Sequence, residues 1–198
     1  MAFFMKHDIL SLVEDAIKAI EFLKKNESLS FLNKISMEIL NCYDNGGKIL
    51  IAGNGGSMCD SMHFAEELTG FFRKRRRPLA AIALADPAHI SCVANDVGFE
   101  YVFSRMVEAI GSKNDLFITL TTSGNSKNLI EGSVSAKKKG LKVIGFLGKD
   151  GGALKEFCDI YWIVEGFLHS DRIQEAHMTA IHIIIEMVEK KLFPDIIL

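Results

Sequence analysis

Short apolar runs that alternate with amphipathic stretches are the feature that most constrains the fold of this chain. Each run has the length of a buried strand, and the residues between the runs carry apolar side chains at helical spacing. This alternation is typical of a parallel β-sheet covered by helices on both faces, with right-handed crossovers. The five runs are residues 48–52, 80–84, 116–120, 142–147 and 160–164.

Helices are predicted on both sides of these runs. Two precede the first strand, at 8–25 and about 28–45, the second with a possible Ser28 cap and a glycine stop at 45–47. We expect an α/β three-layer sandwich of the SIS or flavodoxin-like type, with a five-stranded parallel sheet, two N-terminal helices and a long C-terminal helix. The other helical stretches are about 57–70, 88–93, 99–110, 126–139, 152–157 and 171–192.

Length and charge limit the organisation of the chain and its partners. The 198 residues predict one domain, 1–198, with an N-terminal helical oligomerisation segment, 1–45, and an α/β core with the C-terminal helix, 46–198. A formal charge of −2 argues against a nucleic-acid partner. The sequence shows neither an apolar run long enough to span a membrane nor a signal-peptide pattern, and its four cysteines form no close pair. A cytoplasmic protein is expected.

The segment IAGNGGSMCD joins the first predicted strand to a helix. It lacks the third glycine of a dinucleotide fingerprint and the lysine of a nucleotide P-loop. Two interpretations remain. Its backbone N–H groups and the Ser57 hydroxyl could hold an anionic oxygen or a sugar hydroxyl at a helix N-terminus, or Ser57 could cap a tight turn that binds no ligand.

A second turn, TTSGNSKN, favours the ligand-binding interpretation. It also follows a predicted strand and precedes a helix, and it supplies four hydroxyl groups around Gly124. Such a turn can hold a phosphate monoester through hydrogen bonds and the helix dipole. In a parallel sheet both turns lie at the carboxyl ends of strands, where ligands bind. A phosphorylated small molecule is therefore the expected ligand.

Two further segments carry groups that can move protons or bind metal. His63 and Glu67, four residues apart, share one helix face and could hold a divalent metal, act as a base with its partner, or form a simple surface pair. In DRIQEAHMTAIH, Asp171 and Gln174 have the spacing of a capping box, while His177 and His182 could simply lie on an amphipathic helix.

Taken together, several motifs resemble the phosphoheptose isomerase family, whose members have the SIS fold. The resemblance covers about residues 45–192 and rests on AGNGGS, HFAEELTG, HISCVANDVGFEYVFSR, TSGNSKN, GKDGG and DRIQEAHMTAIHIIIEMVEK. It implies an isomerase that converts D-sedoheptulose 7-phosphate to D-glycero-D-manno-heptose 7-phosphate through an enediol. This reaction begins the biosynthesis of activated heptose for lipopolysaccharide core or capsule.

The resemblance also implies site residues and an assembly. It assigns Glu67 and His182 as the acid–base pair, one zinc ion per subunit and a cytoplasmic homotetramer with active sites at subunit interfaces. The implied metal ligands are His63, Glu67, Gln174 and His182. The implied substrate contacts are Asn54, Gly55, Gly56, Ser57, Glu67, Asn95, Asp96, Thr121, Thr122, Ser123, Ser126, Asp171 and Gln174, with Asp171 orienting a group of the site such as His182.

Spacing leaves the path from Gln174 to the metal open. Eight residues along a straight helix rise about 12 Å, so Gln174 and His182 could share one ion only if Gln174 lies at a frayed helix start. Alternatively, the ligands come from different subunits. Two other functions are also considered, namely a non-catalytic SIS protein that associates with the replication initiator and an isomerase of another phosphosugar.

The basic run Arg73–Arg77 is predicted to be a solvated loop between a helix and a strand. A nucleic-acid or membrane patch is the alternative, and the balanced net charge argues against it. The run could also steer a phosphorylated sugar toward the site.

Overall fold

The computed structural model describes residues 5–195, and the predicted alternation of strands and helices is confirmed within them. Five strands are β1 (Ile49–Gly53), β2 (Ala81–Ala83), β3 (Leu116–Leu120), β4 (Lys142–Gly148) and β5 (Ile160–Val164). Seven α-helices are α1 (Lys6–Glu21), α2 (Asn26–Asp44), α3 (Gly56–Thr69), α4 (Pro87–Asp96), α5 (Val102–Ile110), α6 (Lys127–Lys138) and α7 (Ser170–Leu192). Short 3₁₀ turns cover Phe22–Lys24, Phe99–Tyr101 and Ala153–Phe157.

The strands form one parallel sheet in the order β2-β1-β3-β4-β5. All four strand pairs are parallel, and Ile49 lies opposite both Ala81 and Leu116. This is the flavodoxin-like strand order, in which the chain runs from β1 to one side and then returns past it to β3. The ends of β1 and β3 therefore flank the topological switch point, where ligands bind in open α/β sheets.

Alternate residues of each strand enter two different cores. Ile49 and Ile51 pack with α2, α3 and α7 on one face of the sheet. Leu50 and Ala52 pack with α4, α5 and α6 on the other face. Since successive side chains of a strand point to opposite faces, β1, β3 and β4 are buried on both sides, which explains their nearly continuous apolar sequence.

The two N-terminal helices have different environments. α2 contributes Phe31, Ile35 and Ile39 to the core beneath the sheet. α1 fully buries only Ala19 of its own residues, and its large apolar side chains are exposed. The predicted Ser28 cap is wrong, because Ser28 lies inside α2, where its hydroxyl donates to the Phe22 carbonyl and accepts from Trp162 Nε1.

None of the helices described within residues 5–195 is both long enough and apolar enough to cross a membrane.

Candidate active site

The first glycine turn leads from β1 into α3 at the switch point. Gly55 precedes the helix with φ of 55°, in the left-handed region that favours glycine. Ser57 is therefore not the N-cap of this helix but lies in its first turn, buried. Its Oγ accepts a 3.3 Å hydrogen bond from Gln174 Nε2 of α7. A Cβ on Gly56 would lie 2.6 Å from the same Nε2, so the glycine makes room for the Gln174 amide.

A reciprocal amide pair joins the two glycine turns. Asn54 Nδ2 donates to Asn128 Oδ1 at 3.0 Å, and Asn128 Nδ2 donates to Asn54 Oδ1 at 2.9 Å. Asn128 is buried in the first turn of α6. Sequence reasoning quoted this asparagine within a motif but assigned it no role, because only the fold shows that the Asn54 amide faces it.

The second turn, residues 121–126, connects β3 to α6. The Thr121 hydroxyl accepts from the backbone N–H groups of Ser123 and Gly124 and so fixes the shape of the turn. Ser126 is the N-cap residue of α6, and its side chain makes no capping hydrogen bond. The hydroxyls of Thr122 and Ser170 lie 3.0 Å apart, which connects the turn to the start of α7.

Both turns line one cavity of about 300 Å³, which we call the cradle. Hydroxyl, amide and backbone groups surround it, and the N-termini of α3 and α6 both open toward it, which suits an anionic oxygen cluster. Eight residues predicted from the sequence line it, together with Leu120 and the unpredicted Ser170; the eight are Asn54, Gly56, Ser57, Thr121, Thr122, Ser123, Ser126 and Gln174.

At the other end of α3, three side chains form a compact group that we call the histidine–glutamate cluster. Glu67 Oε1 lies 3.1 Å from His63 Nε2 in the same helix and 3.8 Å from His182 Nε2 in α7. The ligand atoms of all three residues lie within 4.8 Å of one another. The Glu67 side chain is 13% exposed, whereas His63 and His182 are 43% and 40% exposed. The cluster is therefore anchored by a mostly buried carboxylate and open on its imidazole side.

The donor set of this cluster fits a divalent metal. Two imidazole nitrogens and one carboxylate oxygen are ligands that zinc accepts in proteins. Glu67 Oε2 is buried and has no hydrogen-bond partner among the described residues. Buried polar atoms normally have a partner, so this oxygen has the environment expected of an atom that binds an ion. The structure thus contains a possible metal-binding triad of His63, Glu67 and His182.

Not every predicted site residue joins these two groups. Gln174 contacts Ser57 at the start of α3, whereas His182 contacts Glu67 near its end. Within one chain, Gln174 therefore belongs to the cradle and not to the cluster, as the helix rise of about 12 Å over eight residues requires. The frayed helix start that could have brought them together is not observed, because α7 is helical from Ser170.

Besides the residues of the histidine–glutamate cluster, four predicted substrate contacts do not line the cradle: Gly55, which precedes α3, and Asn95, Asp96 and Asp171. Asn95 and Asp96 are exposed at the end of α4, where Asn95 Nδ2 donates to Asp96 Oδ1 at 2.7 Å. Asp171 is 61% exposed beside Arg172, and it neither caps α7 nor approaches His182. Eleven residues along a straight helix separate Asp171 from His182 by about 16 Å, so within one chain Asp171 cannot orient that imidazole.

The basic run differs from the predicted solvated loop at one position. Its other four residues are exposed, but the Arg76 side chain is only 1% exposed and pairs with Glu189 of α7. Sequence reasoning missed this because a single buried arginine has the same appearance in the sequence as its exposed neighbours.

Asp60, one turn before His63, has a perturbed carboxyl group. Burial raises its pKa to about 6, opposed by the nearby His63. One of its oxygens, Oδ2, is buried and has no hydrogen-bond partner among the described residues.

Comparison with known proteins identifies the family of this chain. Residues 13–148 match the family model described as SIS domain. The chain is 53% identical over 175 residues to a phosphoheptose isomerase of Fusobacterium nucleatum, and the aligned region covers 88% of this chain and 90% of that protein. The chain belongs to the phosphoheptose isomerase family.

Solved structures of this family have the same fold. Phosphoheptose isomerase GmhA from Neisseria gonorrhoeae is 33% identical and superposes with a TM-score of 0.87, covering 94% of this chain and all of that one. A phosphoheptose isomerase from Francisella tularensis gives 32% identity and a TM-score of 0.88 over 95% of this chain and all of that one. The expected SIS architecture and the resemblance to phosphoheptose isomerases are therefore confirmed.

Proposed function

We propose that this protein isomerises D-sedoheptulose 7-phosphate to D-glycero-D-manno-heptose 7-phosphate. The observation that carries the proposal is the pairing of a hydroxyl-lined cradle with the histidine–glutamate cluster along the same two helices, α3 and α7. The family name of the relatives supports the substrate. The replication-associated protein and the isomerase of another phosphosugar are less favoured, because the relatives that are 45–53% identical to this chain are named phosphoheptose isomerases.

The phosphate end of the sugar would bind in the cradle. Backbone N–H groups at the start of α3 and α6, together with the Thr122, Ser123 and Ser126 hydroxyls, can donate hydrogen bonds to its oxygens. Among residues 5–195, no lysine or arginine lines this cavity. Recognition would therefore depend on neutral donors and the helix dipoles rather than on an ion pair.

Proton transfer would be performed by Glu67 and His182. One group removes the proton from C1 of the ketose, and a proton returns to C2 while the hydroxyl hydrogen of O1 passes to O2. The 3.8 Å approach of His182 Nε2 to Glu67 Oε1 supports a shared role in this exchange. The partial exposure of His182 leaves the imidazole accessible to a sugar.

The cluster would also hold zinc, through His63, Glu67 and His182. The ion, when bound, supplies a Lewis acid that polarises the carbonyl oxygen of the substrate. A carboxylate that ligates zinc is a weaker base, so the two roles of Glu67 would alternate during turnover. Gln174 remains a predicted fourth ligand, which would have to come from another subunit or move from the cradle.

A neighbouring subunit is proposed to complete each site in a homotetramer. Within one chain, the first turn of α3 lines the cradle and its later turns carry the cluster. Ser57 of the cradle and Glu67 of the cluster are ten residues apart, which is a helix rise of about 15 Å. His63, His182, Asn95 and Asp96 are all partly or fully exposed, as residues that meet a second subunit would be. Asn95, Asp96 and Asp171 remain proposed substrate contacts on this basis, with the chain 1–45 as the proposed oligomerisation segment.

Incubation of the purified protein with sedoheptulose 7-phosphate, with and without a chelator, tests the proposal by the appearance of aldose. We expect turnover by the parent protein and its loss after chelation. Glu67→Gln and His182→Ala should each lower kcat by about 10²–10⁴-fold, as expected for the loss of a general acid or base.

Glu66→Gln and His169→Ala serve as matched controls, because both residues are exposed and lie outside the cluster. Near-parental turnover is expected in both controls. Unchanged turnover in Glu67→Gln and His182→Ala would remove the proposed acid–base pair.

A further inference from the structure

One buried ion pair lies directly behind the histidine–glutamate cluster. Arg76 Nε donates to Glu189 Oε1 at 2.6 Å, and the two side chains are 1% and 4% exposed. Burying both charges is costly, and such a pair frequently stabilises a fold no better than apolar residues of the same volume. The contacts of the pair, rather than its strength, therefore indicate what it does.

The guanidinium of Arg76 caps the C-terminal end of α3. Its Nη2 donates to the Glu67 carbonyl at 2.7 Å, and its Nη1 donates to the carbonyls of Leu68 at 2.8 Å and Gly70 at 3.0 Å. The last carbonyls of a helix have no intrahelical donor, and a positive charge is favourable there. Arg76 thus holds the backbone of the residue whose carboxylate anchors the cluster.

The carboxylate of Glu189 extends the same network into α7. Glu189 lies seven residues after His182, which is two helical turns, so both lie on one side of α7. Glu189 Oε1 also accepts a 3.4 Å hydrogen bond from the Phe72 backbone N–H. The Phe72 ring stacks on the His182 imidazole, with centroids 5.6 Å apart and planes at 19°.

We propose that Arg76 and Glu189 are a positioning pair that sets the spacing of Glu67 and His182. Glu67 and His182 come from different helices. The pair contacts the Glu67 backbone carbonyl directly, and it reaches His182 through Phe72, whose N–H donates to Glu189 and whose ring stacks on the imidazole. The inference rests on the proposed function, because it treats this spacing as the property that metal binding and proton transfer require. Neither residue touches the reacting atoms.

The alternative is that Arg76 only neutralises Glu189. The double variant Arg76→Met/Glu189→Leu separates the two roles, because it removes both charges while approximately keeping the buried volume. If neutralisation were the whole role, this variant would fold and behave like the parent. If the pair positions the cluster, the variant folds but the spacing of Glu67 and His182 changes.

The measurements are the Zn²⁺ affinity of the metal-free protein, by competition with a chromophoric chelator, and kcat and KM separately. For the double variant we expect Zn²⁺ affinity weaker by about 10- to 100-fold, as for other residues that orient metal ligands. kcat should fall in parallel, whereas KM should change little, because the cradle lies at the other end of α3. Co²⁺ substitution of the double variant should give a visible spectrum that differs from that of the Co²⁺-substituted parent.

Arg75→Met, which removes one exposed charge from the same run, is the control and should match the parent.

Arg76→Lys gives a second test if the double variant fails to fold. It keeps the positive charge but loses the planar fork that reaches several carbonyls at once, so the same loss of Zn²⁺ affinity is expected. Parental Zn²⁺ affinity and kcat in a folded double variant, or in Arg76→Lys, would overturn the positioning role and leave the proposed function intact. A parent protein with neither Zn²⁺ binding nor turnover would overturn the proposed function and this inference with it.

Discussion

At the scale of single residues, the same residue type serves different purposes within one helix. His182 faces outward in the histidine–glutamate cluster, whereas His177, in the same helix α7, is fully buried against Phe146 and Trp162. Its Nε2 lies 3.1 Å from the Leu147 carbonyl, and Nδ1 has no partner among the described residues. His177 is therefore a packing residue, and its chemistry appears in stability rather than in catalysis.

The buried imidazole of His177 predicts a loss of stability in acid. Burial lowers its pKa from 6.5 to about 4, opposed by the hydrogen bond to the Leu147 carbonyl. Between these values the unfolded chain binds a proton that the folded protein does not, so the free energy of unfolding decreases as the pH falls from about 6.5 to about 4. From pH 7 to 4.5 the parent should lose about 2 kcal/mol more than His177→Gln.

Urea denaturation at fixed protein concentration measures this difference. His169→Gln is the control, because His169 is exposed and the variant should keep the parental pH dependence. An equal loss in the parent and in His177→Gln would show that His177 does not titrate in this way.

At the scale of elements, the cradle depends on the packing of its second turn, residues 121–126, against the segment that follows β4, residues 149–154. Gly124 has φ of 66°, and a Cβ there would lie 1.9 Å from the Gly151 carbonyl oxygen. The Gly124 carbonyl accepts from the Leu154 N–H at 2.8 Å, and Asn125 Oδ1 accepts from the Ala153 N–H at 3.0 Å. The motif GKDGG, which had no assigned role in the sequence, therefore supports the turn that contains the serines.

Gly124→Ala should displace the cradle turn and weaken substrate binding. We expect KM for sedoheptulose 7-phosphate to rise by about ten-fold or more, which corresponds to about 1.4 kcal/mol of lost binding. Zn²⁺ affinity should remain near the parental value, because the histidine–glutamate cluster lies at the far end of α3.

Gly46→Ala is the matched control for this change. Gly46 has a similar φ of 71°, but a Cβ there would have no atom of the described residues within 4 Å. The substitution therefore imposes a similar backbone strain without the collision. A parental KM in Gly124→Ala, or an equal rise in Gly46→Ala, would contradict the role of the close approach.

At the scale of the whole molecule, the outer face of α1 is an apolar surface that residues 5–195 of one chain do not cover. Ile9, Leu12, Val13, Ile17 and Ile20 are each about half exposed. A contiguous apolar face of this kind is typical of a protein interface. It is the physical basis for expecting that chains assemble through this helix.

The assembly prediction concerns Val13→Glu/Ile17→Glu. The parent should have a solution mass of four times the 22.0 kDa chain, measured by light scattering after size exclusion. The double variant should have a smaller mass, because burying two carboxylates in an apolar interface is unfavourable. Its kcat should also fall if neighbouring subunits complete the sites.

Ser11→Glu introduces a charge on the same helix outside the apolar stripe and is expected to keep the parental mass. A parent that is monomeric, or a double variant with unchanged mass, would contradict assembly through α1.

Local patterns in the sequence determined the order and type of the elements. Apolar periodicity distinguishes buried strands from amphipathic helices because each element must bury one face or both. The glycine turns after β1 and β3 could be assigned to the ligand edge for the same reason, since parallel strands end on one side of the sheet. The shared helix face of His63 and Glu67 followed from spacing alone.

Only the tertiary structure decided which distant groups meet. It brought His182 to Glu67, left Gln174 beside Ser57, and buried Arg76 while exposing its four basic neighbours. These outcomes depend on how α7 packs along α3, which is set by many interlocking side chains rather than by any local pattern. A sequence specifies the faces of its helices locally, but the axial position of one helix against another is a property of the whole core.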